Sequence, residues 1–147
     1  MYDQRQFHPR DLKSMRFREA QEVESSLVAT MTDEQWQHLL SISECYTCLK
    51  LEEIIACGGV FPVWEGRGIV WFFLDGRTDR NGLLFLHRIG LRLMDDWNQQ
   101  FRRLETTVLE SFPQGHRWAQ MLGFMSEGVM KRYDIFGQDH RLYARIR

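Results

Sequence analysis

Three cysteines, Cys45, Cys48 and Cys57, are the residues here most associated with metal and redox chemistry. The first two form a C-x-x-C pair, a spacing shared by zinc sites and thiol-exchange sites. Two features argue against either use. The flanking Tyr46, Thr47, Leu49 and Leu51 read as a strand, in which residues three apart point to opposite faces. Zinc needs four ligands, and no second pair or nearby Cys/His cluster supplies the others. Reduced, structural thiols in a reducing cytosol are the expectation. A second group is Arg77, Thr78, Asp79, Arg80, Asn81 and Gly82, with Leu74 upstream, in a polar loop that runs into the longest helical pattern of the chain. First-turn N–H groups of a helix lack intrahelical partners and the helix dipole favours negative charge there, so the segment can hold an anion. Arg77 and Arg80 add charge in a planar form that suits phosphate. A third group can move protons. Glu105 and Glu110 belong to the run LETTVLE, His116 is of the type that titrates near neutrality, and Tyr133 lies in VMKRYDIF.

The elements that must position these groups follow from the hydrophobic pattern. YDQRQF reads as a short strand, punctuated by His8-Pro9. A helical pattern over Arg10 to Ala29 carries Leu12, Met15, Val23 and Leu27 among charges. Thr32 followed by Gln35 is a capping-box signature for a helix through Trp36, Leu39, Leu40 and Ile42. ECYTCLKL, EIIACGGVFPVW and GIVWFFL are three strands of a meander, with turns at Glu52-Glu53 and at Glu65 to Gly68. Gly58-Gly59 marks a bulge or a close backbone approach. Gly82, Leu86, Ile89, Leu93 and Trp97 make one apolar stripe on the long helix. LETTVLE is the next strand, HRWAQMLGF a short helix closed by Gly123, and VMKRYDIF with HRLYARI a hairpin turning at Gly137.

With 147 residues, 44% of them hydrophobic, the chain suits one domain spanning 1–147 with one core. A charged fraction of 27% at net charge -1 argues against a disordered chain and against a dedicated nucleic-acid binder. IVWFFL and LLFL fall short of the ~20 apolar residues of a membrane span. The charged first twenty residues do not read as a signal peptide.

This order of elements resembles the GNAT superfamily of N-acetyltransferases. In that family the fourth strand enters a phosphate-cradling loop of the form Q/R-x-x-G-x-G/A at the head of the long helix. Arg77 and Gly82 stand at its outer positions, and Arg80 replaces the middle glycine. HRWAQMLGF followed by SEG is similar to the family's short helix with its L-G-F ending. The nearer resemblance is to short GNAT-like proteins of tailed phages, some of them internal virion proteins. It rests on FREAQEVESSL, SECYTC leading to IIACGGV, LLFLHRIG and the R-W-x-x-x-L-G-F element.

The resemblance implies an α/β (α+β) fold with a mixed, twisted sheet of six or seven strands flanked by helices. It implies acetyl-CoA as cofactor, its pyrophosphate held by Leu74 and the Arg77–Gly82 segment. The thioester would be polarised by a backbone amide where the fourth and fifth strands part. Catalysis needs a general base for the amine and an acid for the thiolate. Many family members place an acid tyrosine four residues before the glycine of L-G-F, and here that position is Ala119. Glu110, as a carboxylate tuned toward neutrality, is the candidate base, His116 an acid or base, and Tyr133 a weaker substitute. Phe61, Trp64, Trp71, Phe72, Phe73 and Trp118 line an acceptor cleft or pack the core. Two functions stay open. One is an acetyltransferase acting on an amine of a protein or small molecule in the cytoplasm. The other is a catalytically silent module for virion assembly or for binding a host or phage protein.

Overall fold

The computed structural model describes residues 1–18, 20–21 and 30–147. Seven strands form one mixed sheet: β1 (Tyr2–Gln6), β2 (Glu44–Lys50), β3 (Glu53–Trp64), β4 (Arg67–Leu74), β5 (Arg103–Leu109), β6 (Met125–Met130) and β7 (His140–Ile146). Their order in the sheet is β1-β2-β3-β4-β5-β7-β6. Among the described residues, the α-helices with defined bounds are α1 (Asp33–Ile42), α2 (Arg80–Gln100) and α3 (Pro113–Met121). This is the expected α/β architecture. Among the described residues no helix is long and apolar enough to cross a membrane.

The chain divides into two compact units, Met1–Phe61 with Trp71–Ile89 and Pro62–Val70 with Gly90–Arg147. In the first, Phe7, Met15, Cys45, Cys57 and Phe73 form a buried cluster flanked by Trp36 and Trp71. Phe7 meets Trp71 edge-on at 5.2 Å, and Trp71 lies 5.8 Å from Phe73. Two of the aromatics that might have lined a cleft are therefore core. The three thiols are free and buried, and burial pushes Cys45 and Cys48 up to about 11 and Cys57 up to about 12. In the second unit Leu104, Tyr143 and Trp97 are almost wholly buried. Leu122 packs so closely on α2 that a Cβ on Gly90 would lie 3.0 Å from it.

Several local expectations hold. Thr32 and Gln35 make both reciprocal bonds of the capping box. On α2, Gly82, Leu86 and Trp97 are buried and Ile89 and Leu93 half-buried, and Met94 and Asn98 widen the stripe. Gly58-Gly59 is a close approach: a Cβ on Gly59 would lie 2.5 Å from the Glu44 carbonyl oxygen, while the register shift sits at Cys48/Leu49.

Three expectations are corrected. The helical pattern from Arg10 is a 3-10 helix of Pro9–Ser14, and Met15 to Arg18 are not helical. Asp11 fixes the start of this helix. Its carboxylate takes both guanidinium arms of Arg5 at 2.8 Å, the His8 amide at 3.0 Å and the Thr47 hydroxyl at 2.7 Å. The Arg16 amide then donates to Asp75 at 3.0 Å rather than to a helix carbonyl. The rest of that pattern, including most of FREAQEVESSL, lies outside the described residues. The β2–β3 turn falls on Leu51 and Glu52, one residue early, with φ of 49° and 71°. The last hairpin ends β6 at Met130 and opens β7 at His140, so Tyr133 lies in the loop and not on the sixth strand.

Among the described residues, the parallel strands β4 and β5 pair from Arg67↔Arg103 to Ile69↔Glu105. Gln21 serves the β4 backbone, donating to the Phe72 carbonyl and accepting from the Leu74 amide, both at 3.0 Å.

Candidate cofactor loop and acid-base residues

The loop between β4 and α2 is built on a buried carboxylate. Asp75 is 2% exposed and accepts from the Arg16 and Arg77 amides and from two nitrogens of the Arg77 guanidinium at 2.9 and 2.7 Å. The Arg77 guanidinium holds its carboxyl well below the usual carboxylate range. Arg77, expected to reach for phosphate, is thus first a clamp on its own loop, although its side chain stays 55% exposed. Thr78 donates its hydroxyl to the Asp75 carbonyl at 2.7 Å.

Asp79 caps α2. Its Oδ1 takes the Gly82 amide at 2.8 Å, and its Oδ2 takes Lys50 Nζ at 2.6 Å. Lys50 holds the Asp79 carboxyl below its ordinary value. Gly82 is required here, since a Cβ would sit 2.6 Å from Thr78 Cγ2. The first-turn amides of Arg80 and Asn81 keep the usual lack of an intrahelical partner. Arg80 is exposed and pairs with no acid among the described residues.

In the second unit the structure brings Glu110 and His116 together. Glu110 sits one residue past β5, and His116 lies on α3. His116 Nε2 is 2.9 Å from the Glu110 carbonyl oxygen, and Nδ1 is 2.7 Å from the Tyr143 hydroxyl. A carbonyl only accepts, so Nε2 carries the proton, and in the neutral ring Nδ1 accepts from Tyr143. Both ring nitrogens of His116 therefore have inward partners. Burial pushes the Tyr143 phenol up. The Glu110 carboxylate takes two guanidinium nitrogens of Arg141 at 3.0 and 2.7 Å, and this pairing holds it below the ordinary carboxylate range. The expectation of a carboxylate tuned toward neutrality fails for that reason: the side chain is 36% exposed and already ion-paired.

Tyr133 does not join this group; its ring lies 5.1 Å from His140, and it is 53% exposed. Ala119 is buried, and a phenol added there would overpack α3. Tyr143 and Arg141 were missed in the sequence. Their two-residue spacing in HRLYARI puts them on one strand face, but only the β5–β7 register aligns them with Thr106 and Val108.

No protein-family model matches this chain, and no curated protein matches it in sequence. Solved structures do. An acetyltransferase of the GNAT family from Streptococcus pneumoniae superposes with a TM-score of 0.72 over 99% of both chains, at 16% identity. The fold is that of the GNAT acetyltransferases. The ribosomal-protein-S5-alanine acetyltransferase of Vibrio fischeri aligns over 99% of this chain and 92% of its own with a TM-score of 0.65 and 18% identity. The microcin C7 self-immunity acetyltransferase MccE, solved in complex with acetyl-CoA and AMP, covers 84% of this chain and 71% of its own, with a TM-score of 0.65 and 12% identity. The GNAT fold and the β4–loop–α2 passage are therefore as expected. At these identities the likeness speaks for architecture, and the residues of the loop carry the chemistry.

Proposed function

We propose that this chain is an acetyl-CoA-dependent N-acetyltransferase-like protein that acts on amines already neutral when they arrive. The observation that carries this reading is the amino end of α2, which follows β4 through the loop 75–79 and offers the Arg80 and Asn81 amides beside two arginines. These groups fit a pyrophosphate. Arg77 is fixed by Asp75 with one guanidinium nitrogen outside that clamp, and Lys50 offsets the charge of Asp79. Acetyl-CoA supplies an acetyl group on a thioester whose thiol leaves readily.

The acid-base residues narrow the acceptor. An ammonium must lose its proton before it attacks. Glu110, held low by Arg141, is a poor acceptor for that proton, and both nitrogens of His116 already have partners. An acceptor of low pKa is then favoured. At pH 7.5 about a third of α-amines are neutral against about 0.1% of lysine amines. The ribosomal-protein-S5-alanine acetyltransferase among the structural neighbours is consistent with an α-amine acceptor.

The test is acetyl transfer to two peptides, one with a free α-amine and blocked lysines, the other the reverse. The α-amine peptide should react about 100-fold faster at pH 7.5. Its rate should level off above pH 8, while the lysine rate climbs about tenfold per unit to pH 9. Glu110→Gln should leave both profiles in place. Equal rates at pH 7.5, or a tenfold loss in Glu110→Gln, would contradict the reading.

One observation favours a second reading, a catalytically silent GNAT-fold protein that serves a host or virion partner. Asp79 places a carboxylate on the Gly82 amide, where an incoming phosphate meets a like charge. No turnover of either peptide would support it.

A further inference from the structure

At the start of β4 and β5, within the second unit, a cavity of about 450 Å³ opens beside the Glu65-Gly66 turn. Its walls include Trp64, Arg67, Arg102, Arg103 and Glu105. Glu105 is 8% exposed and binds two of the arginines. Its Oε1 takes Arg67 Nε at 2.8 Å and Arg103 Nε at 2.6 Å, and its Oε2 takes Arg67 Nη2 at 2.7 Å. Arg103 turns its remaining arms to Glu127. Arg67 keeps Nη1 outside these bonds and lies over the Trp64 ring, 4.4 Å from its centroid. Trp64 is nevertheless 64% exposed.

Arg102 completes the wall. Its guanidinium lies against Gly66, where a Cβ would be 2.6 Å from Nη2, so only glycine lets it rest there. Gly66 also has φ +87°, which favours glycine again. The backbone of Arg102 is held by the Arg147 amide at 2.9 Å, and Arg103 N bonds the Gly66 carbonyl at 3.0 Å. No acid pairs with the Arg102 side chain among the described residues. An exposed guanidinium with no acid partner among the described residues, a second with one arm open, and an exposed indole face share one cavity. Its volume is that of a small-molecule site.

We propose that this cavity binds a small anion carrying a flat ring, a phosphate monoester or a carboxylate. The anion bridges Arg102 and the open arm of Arg67, and the ring rests on Trp64. Guanidinium groups take both anions through paired N–H bonds, and an indole face takes a ring by stacking. Glu105 and Glu127 together neutralise Arg67 and Arg103 and fix them, so of the remaining charges in the wall, Arg102 and Glu65, Arg102 is the one that draws the ligand. The site is separate from the α2 loop and stands whether or not acetyl-CoA binds.

The test titrates the full-length protein with adenosine 5′-monophosphate, benzoate and inorganic phosphate, following heat and tryptophan emission. At least one of the two ring-bearing anions should bind at sub-millimolar concentration, with phosphate alone about tenfold weaker. The tighter of the two identifies the anion. Arg102→Ala should weaken binding about tenfold and Arg102→Lys less, since lysine keeps the charge and loses the fork. Trp64→Phe should abolish most of the emission change. Binding that is unchanged in Arg102→Ala, or absent for both ring-bearing anions at 10-fold the expected concentration, would overturn the proposal. Arg67→Ala and Arg80→Ala serve as paired controls: a loss in Arg80→Ala alone would place the ligand at the α2 loop and also overturn it.

Discussion

Asp75→Ala is expected to cost about 3 kcal/mol of stability and to lower the melting temperature by on the order of 10 °C. The carboxylate is 2% exposed and is the acceptor for the Arg16 amide, the Arg77 amide and two arms of the Arg77 guanidinium. Alanine leaves the Arg16 and Arg77 amides without this acceptor, at about 1–3 kcal/mol for each that water does not reach. The guanidinium is half-exposed and recovers water, so its share is smaller. Asp75→Asn keeps one carbonyl oxygen and should lose roughly half as much. The pH dependence has a definite sign. The folded carboxyl titrates below its unfolded value, so its contribution is complete above about pH 4 and is lost as pH falls below that. The gap between the melting curves of wild type and Asp75→Ala should therefore narrow between pH 7 and pH 3 without closing. A constant gap across that range would mean that Asp75 acts through packing and not through its charge.

Gly59→Ala is expected to be as damaging, at about 3 kcal/mol, for a purely steric reason. The added carbon would lie 2.5 Å from the Glu44 carbonyl oxygen, 2.7 Å from Cys45 Sγ and 2.9 Å from Cys45 Cα. Two of these atoms are backbone of the paired strand β2, so no side-chain rotation relieves the contact. Gly76→Ala is the matched comparison. Its nearest neighbours are 3.4 Å away, at ordinary contact, and losing a glycine from the unfolded chain offsets any small cost. Denaturant melts should show a large shift for the first and little or none for the second. Equal shifts would mean that the β2–β3 contact at Gly59 is looser than described.

What the sequence disclosed was local or periodic. The capping box of α1 needs residues three apart, and Thr32 with Gln35 can be read without knowing anything distant. The stripe on α2 repeats with the helix, and β3 ends before the Glu65-Gly66 turn as read. What it hid depended on distant partners. Asp75 is one polar residue of a polar loop until the fold brings Arg16 to it across 59 positions. Glu110 reads as a free carboxylate at a strand end until β7 brings Arg141, 31 positions on, against it. The Leu51-Glu52 turn carries no glycine or asparagine to announce its left-handed residues. Glu110 and His116 could be named from the sequence as candidates, but the partners that fix their hydrogen bonds, Arg141 and Tyr143, could not.

The central claim is that the amino end of α2 holds the pyrophosphate of coenzyme A with Asp79 weakening the fit, and calorimetric titration with acetyl-CoA tests it most directly. The account predicts micromolar binding by the wild-type chain. It predicts binding several-fold tighter in Asp79→Asn, which keeps a cap oxygen on Gly82 and removes the charge. Arg80→Ala should weaken binding. No heat at millimolar acetyl-CoA in both wild type and Asp79→Asn would contradict it.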